Sequence, residues 1–80
     1  MKFFKKYIKV ITVCDEYGSL TPVYIIWHNG EKYKIDRILE VRKAASKVGG
    51  CGILYRCRIG KNERNLFYEI NRWFIESTTP

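Results

Sequence analysis

The residues of this chain best suited to act on a ligand are cations placed at every second position of two short runs. Lys32 and Lys34 stand in Glu31-Lys32-Tyr33-Lys34-Ile35-Asp36, with Arg42 further along the same run, and Arg56 and Arg58 stand in Gly52-Ile53-Leu54-Tyr55-Arg56-Cys57-Arg58-Ile59-Gly60. Tyr33, Ile35, Leu39 and Val41 share the opposite phase of the first run, and Ile53, Tyr55, Cys57 and Ile59 that of the second. A period of two is the signature of a strand with one buried side. If the two strands are neighbours, the five cations share one outer face, and a row of Lys and Arg is the chemistry that neutralises phosphates. An exposed ring beside guanidinium groups adds a surface on which unpaired bases stack. Phe67, Tyr68, Trp73 and Phe74 are more rings than one face of a final hairpin holds, which makes Tyr68 and Phe74 the stacking candidates. The competing reading is that these rings close the ends of a barrel.

Catalytic chemistry finds little to work with. His28 is the single imidazole and precedes an Asn-Gly turn, where no neighbour in the sequence orients it as a general base. Asp15-Glu16 lies beside a turn, and solvated carboxylates have no means of splitting their pKa values. The three cysteines, at 14, 51 and 57, contain no Cys-x-x-Cys pair, so a closed zinc site is not expected. Cys14 and Cys57 fall on apolar phases and read as small buried hydrophobes in a reducing compartment, whereas Cys51, between Gly50 and Gly52, reads as the exposed thiol. Gly49-Gly50-Cys51-Gly52, preceded by Lys43 and Lys47, offers backbone N–H groups to a phosphate but lacks the P-loop pattern and the helix that follows one. The expectation is a protein without catalytic residues, cofactor or metal.

The elements that must position the cations are legible from turn chemistry. A first strand is expected over 6–14, closed by the Asp15-Glu16-Tyr17-Gly18 turn, and a second over 21–28, with Pro22 at its start. A two-residue Asn29-Gly30 turn leads to a third strand over 31–42, with a bulge or bend between Asp36 and Leu39. Arg37 falls out of phase there, either because a bulge re-phases the strand or because its side chain is partly buried against a carboxylate such as Asp36 or Glu69, the bulge being the favoured reading. The longest break covers 43–50 and has room for one helical turn near 43–48, too short to stand alone. A fourth strand over 52–59, a turn over 60–63, a fifth strand over 65–70, an Asn71-Arg72 turn and a sixth strand over 73–77 complete the chain. Short strands in sequence order with tight connections predict an all-β fold, a six-stranded antiparallel meander curled into a small SH3-like or OB-like barrel. An open sheet with one short helix is the alternative.

Eighty residues make a single domain, 1–80, that buries about 60–65% of its unfolded surface. Fifteen Lys and Arg against eight Asp and Glu give a net charge of +7, which favours anionic partners, nucleic acid (DNA or RNA) first. A protein partner or a second copy of the chain is the alternative, reached through exposed rings or an unpaired sheet edge. The N-terminal run resembles a secretory leader only superficially, because Lys9 interrupts it, and no stretch approaches the ~20 apolar residues of a membrane span.

Trp27-x-x-Gly30-x-x-Tyr33-x-Ile35-Asp36-Arg37-Ile38-Leu39 is followed by Val41-Arg42-Lys43-Ala44-Ala45-Ser46, Gly49-Gly50-x-Gly52, Tyr55-x-Cys57-Arg58-Ile59, Leu66-Phe67-Tyr68-Glu69 and Arg72-Trp73-Phe74. From Lys9 to Glu76 this pattern resembles a family of small clostridial (Firmicutes) proteins of unknown function. The resemblance implies a bacterial, cytoplasmic, stand-alone domain and assigns no activity.

Overall fold

Alternating apolar and polar residues between glycine-bearing turns build seven strands. These are β1 (Phe4–Cys14), β2 (Leu20–Ile26), β3 (Lys32–Lys34), β4 (Arg37–Ala45), β5 (Cys51–Ile59), β6 (Asn62–Glu69) and β7 (Arg72–Ser77). The computed structural model describes residues 3–45 and 51–77, the side chain of Cys51 excepted. The strands form one antiparallel sheet in the order β3-β2-β1-β7-β6-β5-β4. Strands consecutive in the chain are neighbours, apart from β3 and β4, and β1 lies beside β7. That is a meander rather than a Greek key.

The two ends of this order, β3 and β4, are joined by Ile35 and Asp36 alone. Ile35 N–H donates to Val23 O at 2.9 Å, and Asp36 N–H donates to Arg58 O at 2.8 Å, so one bent segment leaves β2 and joins β5. The sheet therefore curls into a small barrel, as the sequence predicts, and the bend splits the expected third strand in two. Leu39 is the extra residue of a bulge between Ile38 and Glu40. Arg37 is exposed opposite Arg58, so it is not buried against a carboxylate, and the bend at Ile35 and Asp36, ahead of the bulge, is what re-phases it.

Three local expectations need correction. Lys43, Ala44 and Ala45 continue β4 opposite Ile53, Gly52 and Cys51, because cross-strand bonds satisfy a backbone that a single helical turn would have to nucleate unaided. Residues 46–48 of that expected turn, and Gly49 and Gly50, lie outside the described residues. The Asn29-Gly30 connection is a three-residue loop, with Gly30 N–H donating to Trp27 O at 2.9 Å and Trp27 N–H to Glu31 O at 2.8 Å, and only Gly30 needs a positive φ, of 87°. The last hairpin turns at Ile70-Asn71, not Asn71-Arg72.

Ile70 and Asn71 have φ of 48° and 62°, the mirror-image turn that matches strand twist. Asn tolerates this region, but a β-branched residue there is strained. Ile70 is also 79% exposed, so packing returns little. Ile70→Asn should therefore raise stability by about 1 kcal/mol. A urea unfolding midpoint that fails to rise would contradict the strained turn.

The interior holds Ile25, Ile35, Tyr55, Cys57, Leu66 and Trp73. Tyr55 donates its hydroxyl to Leu20 O at 3.0 Å, tying β5 to the start of β2. A second buried cluster lies on the opposite phase of the sheet, where Leu54, Phe67 and Phe74 follow one another across β5, β6 and β7. The Phe67 and Phe74 rings stack at 5.1 Å. Gly52 is required at its position in β5, because a Cβ there would sit 2.7 Å from Tyr68 O.

Burial pushes the Cys57 thiol up to about 11, and it also raises the Tyr55 phenol above 10. Both groups are favoured in their neutral, protonated forms, so their contribution is whole below the unfolded values and is lost as pH climbs past them. Thermal stability should hold to about pH 9 and fall between about 9 and 11, and less steeply in Cys57→Ala. An identical fall in that variant would remove Cys57 from the account. Cys14 corrects the sequence reading: it is exposed, because β1 runs on past the barrel interior into the β1–β2 hairpin.

Candidate nucleic-acid interface

All five cations predicted from the sequence are exposed, and strand phase directs them outward. They form two groups, however. Arg42, Arg56 and Arg58 lie on β4 and β5, while Lys32 and Lys34 lie on β3, which pairs with β2. Carboxylates balance the first group. Arg42 Nε is 3.1 Å from Glu40, Arg56 Nε is 3.5 Å from Glu63, and Arg58 stands opposite Glu63 in register. Such exposed pairs add about 0–1 kcal/mol of stability, but they do cancel local potential.

The second group gains cations that the first lacks. In register across the outer phase, Lys32 is opposite Ile26 and Ile26 opposite Lys9, while Lys34 is opposite Tyr24. Strand spacing then puts Lys32 and Lys9 about 10 Å apart. Lys9 and Arg72 flank the last registered pair between β1 and β7, Ile8 with Trp73. Both line a groove of about 480 Å³ with Tyr7, Trp27, His28 and Asn71.

Rings lie directly beneath these charges. Lys32 Nζ is 4.6 Å from the Tyr24 centroid and Arg72 Cζ 4.3 Å from Tyr7, while on the inner phase Lys6 Nζ is 5.3 Å from Trp27. The ring faces attract the cations and hold them in place without neutralising them. Tyr7 is 41% exposed, so the Arg72–Tyr7 pair presents a planar cationic platform. Of the carboxylates beside these cations, Glu69, opposite Arg72 in register, is paired with Lys5 at 3.0 Å, and Glu31 accepts a hydrogen bond from the Tyr33 hydroxyl at 2.6 Å. That bond raises the Tyr33 pKa, chiefly by holding its proton against Glu31.

Neither predicted stacking ring stands exposed beside the arginines. Phe74 is 1% exposed, with Phe67 stacked on it, the Tyr7 ring at 5.9 Å and Lys5 Nζ at 4.9 Å from its centroid. Tyr68 is in register with Ile53, on the inner phase away from Arg56 and Arg58, and is half-buried. It packs on Trp73 at 4.8 Å and donates its hydroxyl to Asn71 Oδ1 at 3.1 Å.

Tyr7, Trp27 and Arg72 are the members that sequence reasoning missed. The alternation of Lys5, Tyr7 and Lys9 against Ile8 and Val10 was a usable signal, because it puts a ring between lysines on one side of β1.

The remaining chemical candidates stay separate. His28 is exposed in its loop, its ring 5.3 Å from that of Trp27. Asp15 Oδ1 accepts from Tyr17 N–H and Ser19 N–H, both at 2.9 Å, which is turn-capping work. The expectation for the Cys51 thiol lies outside the described residues. Among the described residues, no group of three His, Cys, Asp or Glu could hold a metal, and no helix is long and apolar enough to cross a membrane. Compared with known proteins, the chain matches no family model, no curated protein and no solved structure.

Proposed function

We propose that this protein is a non-enzymatic binding module for single-stranded nucleic acid that uses the outer face of β1, β2, β3 and the start of β7. One observation carries the reading: Lys9, Lys32, Lys34 and Arg72 gather there over or beside tyrosine rings, while Glu69, the carboxylate opposite Arg72, is paired with Lys5. Phosphates meet the lysines, and a base lies on the Arg72–Tyr7 platform. Arg42 and Arg56, each paired with a carboxylate, and Arg58, opposite Glu63 in register, contribute long-range attraction more than contact. The family resemblance supports placing this activity in a bacterial cytoplasm.

Fluorescence anisotropy with labelled single- and double-stranded DNA and RNA tests it. The expected result is tighter binding to single strands, weakening steeply between low and moderate salt. No binding at low salt would overturn the reading and favour a protein partner or self-association.

A further inference from the structure

Strand β3 carries its residues to two different surfaces. Lys32 and Lys34 face outward, while Tyr33, in register with buried Ile25, faces the opposite way. There Tyr33 and Trp27 are aromatic walls of a cleft of about 310 Å³ floored by Ile25, Ile59 and Ile75 and edged by Asn62 and Arg64. The hydroxyl bond to Glu31 fixes the Tyr33 ring at the entrance. Lys6, opposite Ile75 in register, holds its ammonium 5.3 Å from the Trp27 ring. Trp27 also lines the groove that holds Lys9 and Arg72.

We infer that this cleft receives one unstacked nucleobase of a bound strand while Lys32 and Lys34 hold the adjoining phosphates. The inference rests on the nucleic-acid reading and gives it a second contact. Two rings and three isoleucines suit a flat, weakly polar body, and the volume lies at the small end of ligand sites. The Asn62 amide has a donor and an acceptor with which to meet a base edge. Arg64 at the edge and Lys6 over the Trp27 ring add two cations beside the single Glu31 carboxylate at the Tyr33 hydroxyl, an excess of positive charge that suits a nucleotide more than an aliphatic chain. β3 is an edge strand of the sheet, so a nucleic-acid strand that leaves the cleft past Tyr33 crosses that edge to bring its phosphates to Lys32 and Lys34 on the outer side.

The test compares a labelled single-stranded DNA oligonucleotide with an abasic one of equal length, which keeps the phosphates and lacks the bases. The intact protein should bind the base-bearing strand at least tenfold more tightly. Tyr33→Ala, at a 40% exposed position whose loss the fold tolerates, should weaken base-bearing binding about tenfold and leave abasic binding unchanged. Ile59→Trp, which fills the cleft, should do the same, with circular dichroism checking its fold. Undiminished preference for bases in Tyr33→Ala would overturn the cleft while leaving the phosphate-binding face standing. Absence of binding to either strand would overturn both.

Discussion

Phe74→Ala should be the most damaging single substitution in this chain, costing about 3–5 kcal/mol. The ring is 1% exposed and lies in the middle of the outer row, in register with Tyr7 on one side and Phe67 on the other. Its removal leaves Phe67 without its stacking partner and Lys5 without the ring beneath its ammonium group. Lys5 also carries the ion pair with Glu69, so the substitution loosens the contact that crosses β7 from β1 to β6. A domain of this length has on the order of 4–12 kcal/mol in hand, and the variant should be largely unfolded or close to it at 37 °C. Urea or thermal denaturation decides the matter. A loss under about 1 kcal/mol would mean that the second cluster is not a buried core.

The second large effect concerns binding and leaves the fold alone. Lys32→Glu with Lys34→Glu should weaken affinity for a single-stranded oligonucleotide by about a hundredfold or more at low salt and lower the salt slope by about two, one unit for each phosphate no longer held. Both side chains are exposed, and the fold gives up the pairing of the Lys32 ammonium with the Tyr24 ring and little else, so the unfolding midpoint should move little. Arg42→Glu with Arg56→Glu changes net charge equally and should cost clearly less, because Glu40 and Glu63 already balance those guanidinium groups. Equal losses from the two pairs would show that overall charge, rather than this face, governs the interaction.

The contrast between these residues also shows what the sequence could and could not disclose. The period-two alternation through Lys32, Tyr33 and Lys34 correctly separated cations from ring, and the bend after Asp36 was marked by Arg37 falling out of phase. The same alternation failed at Phe74. Leu66 and Phe67 are both buried, as are Trp73 and Phe74, so β6 and β7 are covered on both sides and their phase cannot reveal which ring is free. Cys14 was misread for the complementary reason, since the apolar phase of β1 continues beyond the barrel that would bury it. The Lys9–Arg72 cluster depends on pairing between the first and last strands, a contact that no local pattern encodes. Asn71 announces a positive φ, but Ile70 as its partner in the turn runs against the residue preference for that position, so sequence alone points to a turn one residue late.

The contact can be mapped on the folded protein by following backbone amide chemical shifts of a 15N-labelled sample as a short oligothymidylate is added. The largest changes should fall on Lys9, on Lys32, Tyr33 and Lys34, and around Arg72. Changes centred on Arg42, Arg56 and Arg58, with β3 and the start of β7 unmoved, would contradict the proposed binding face.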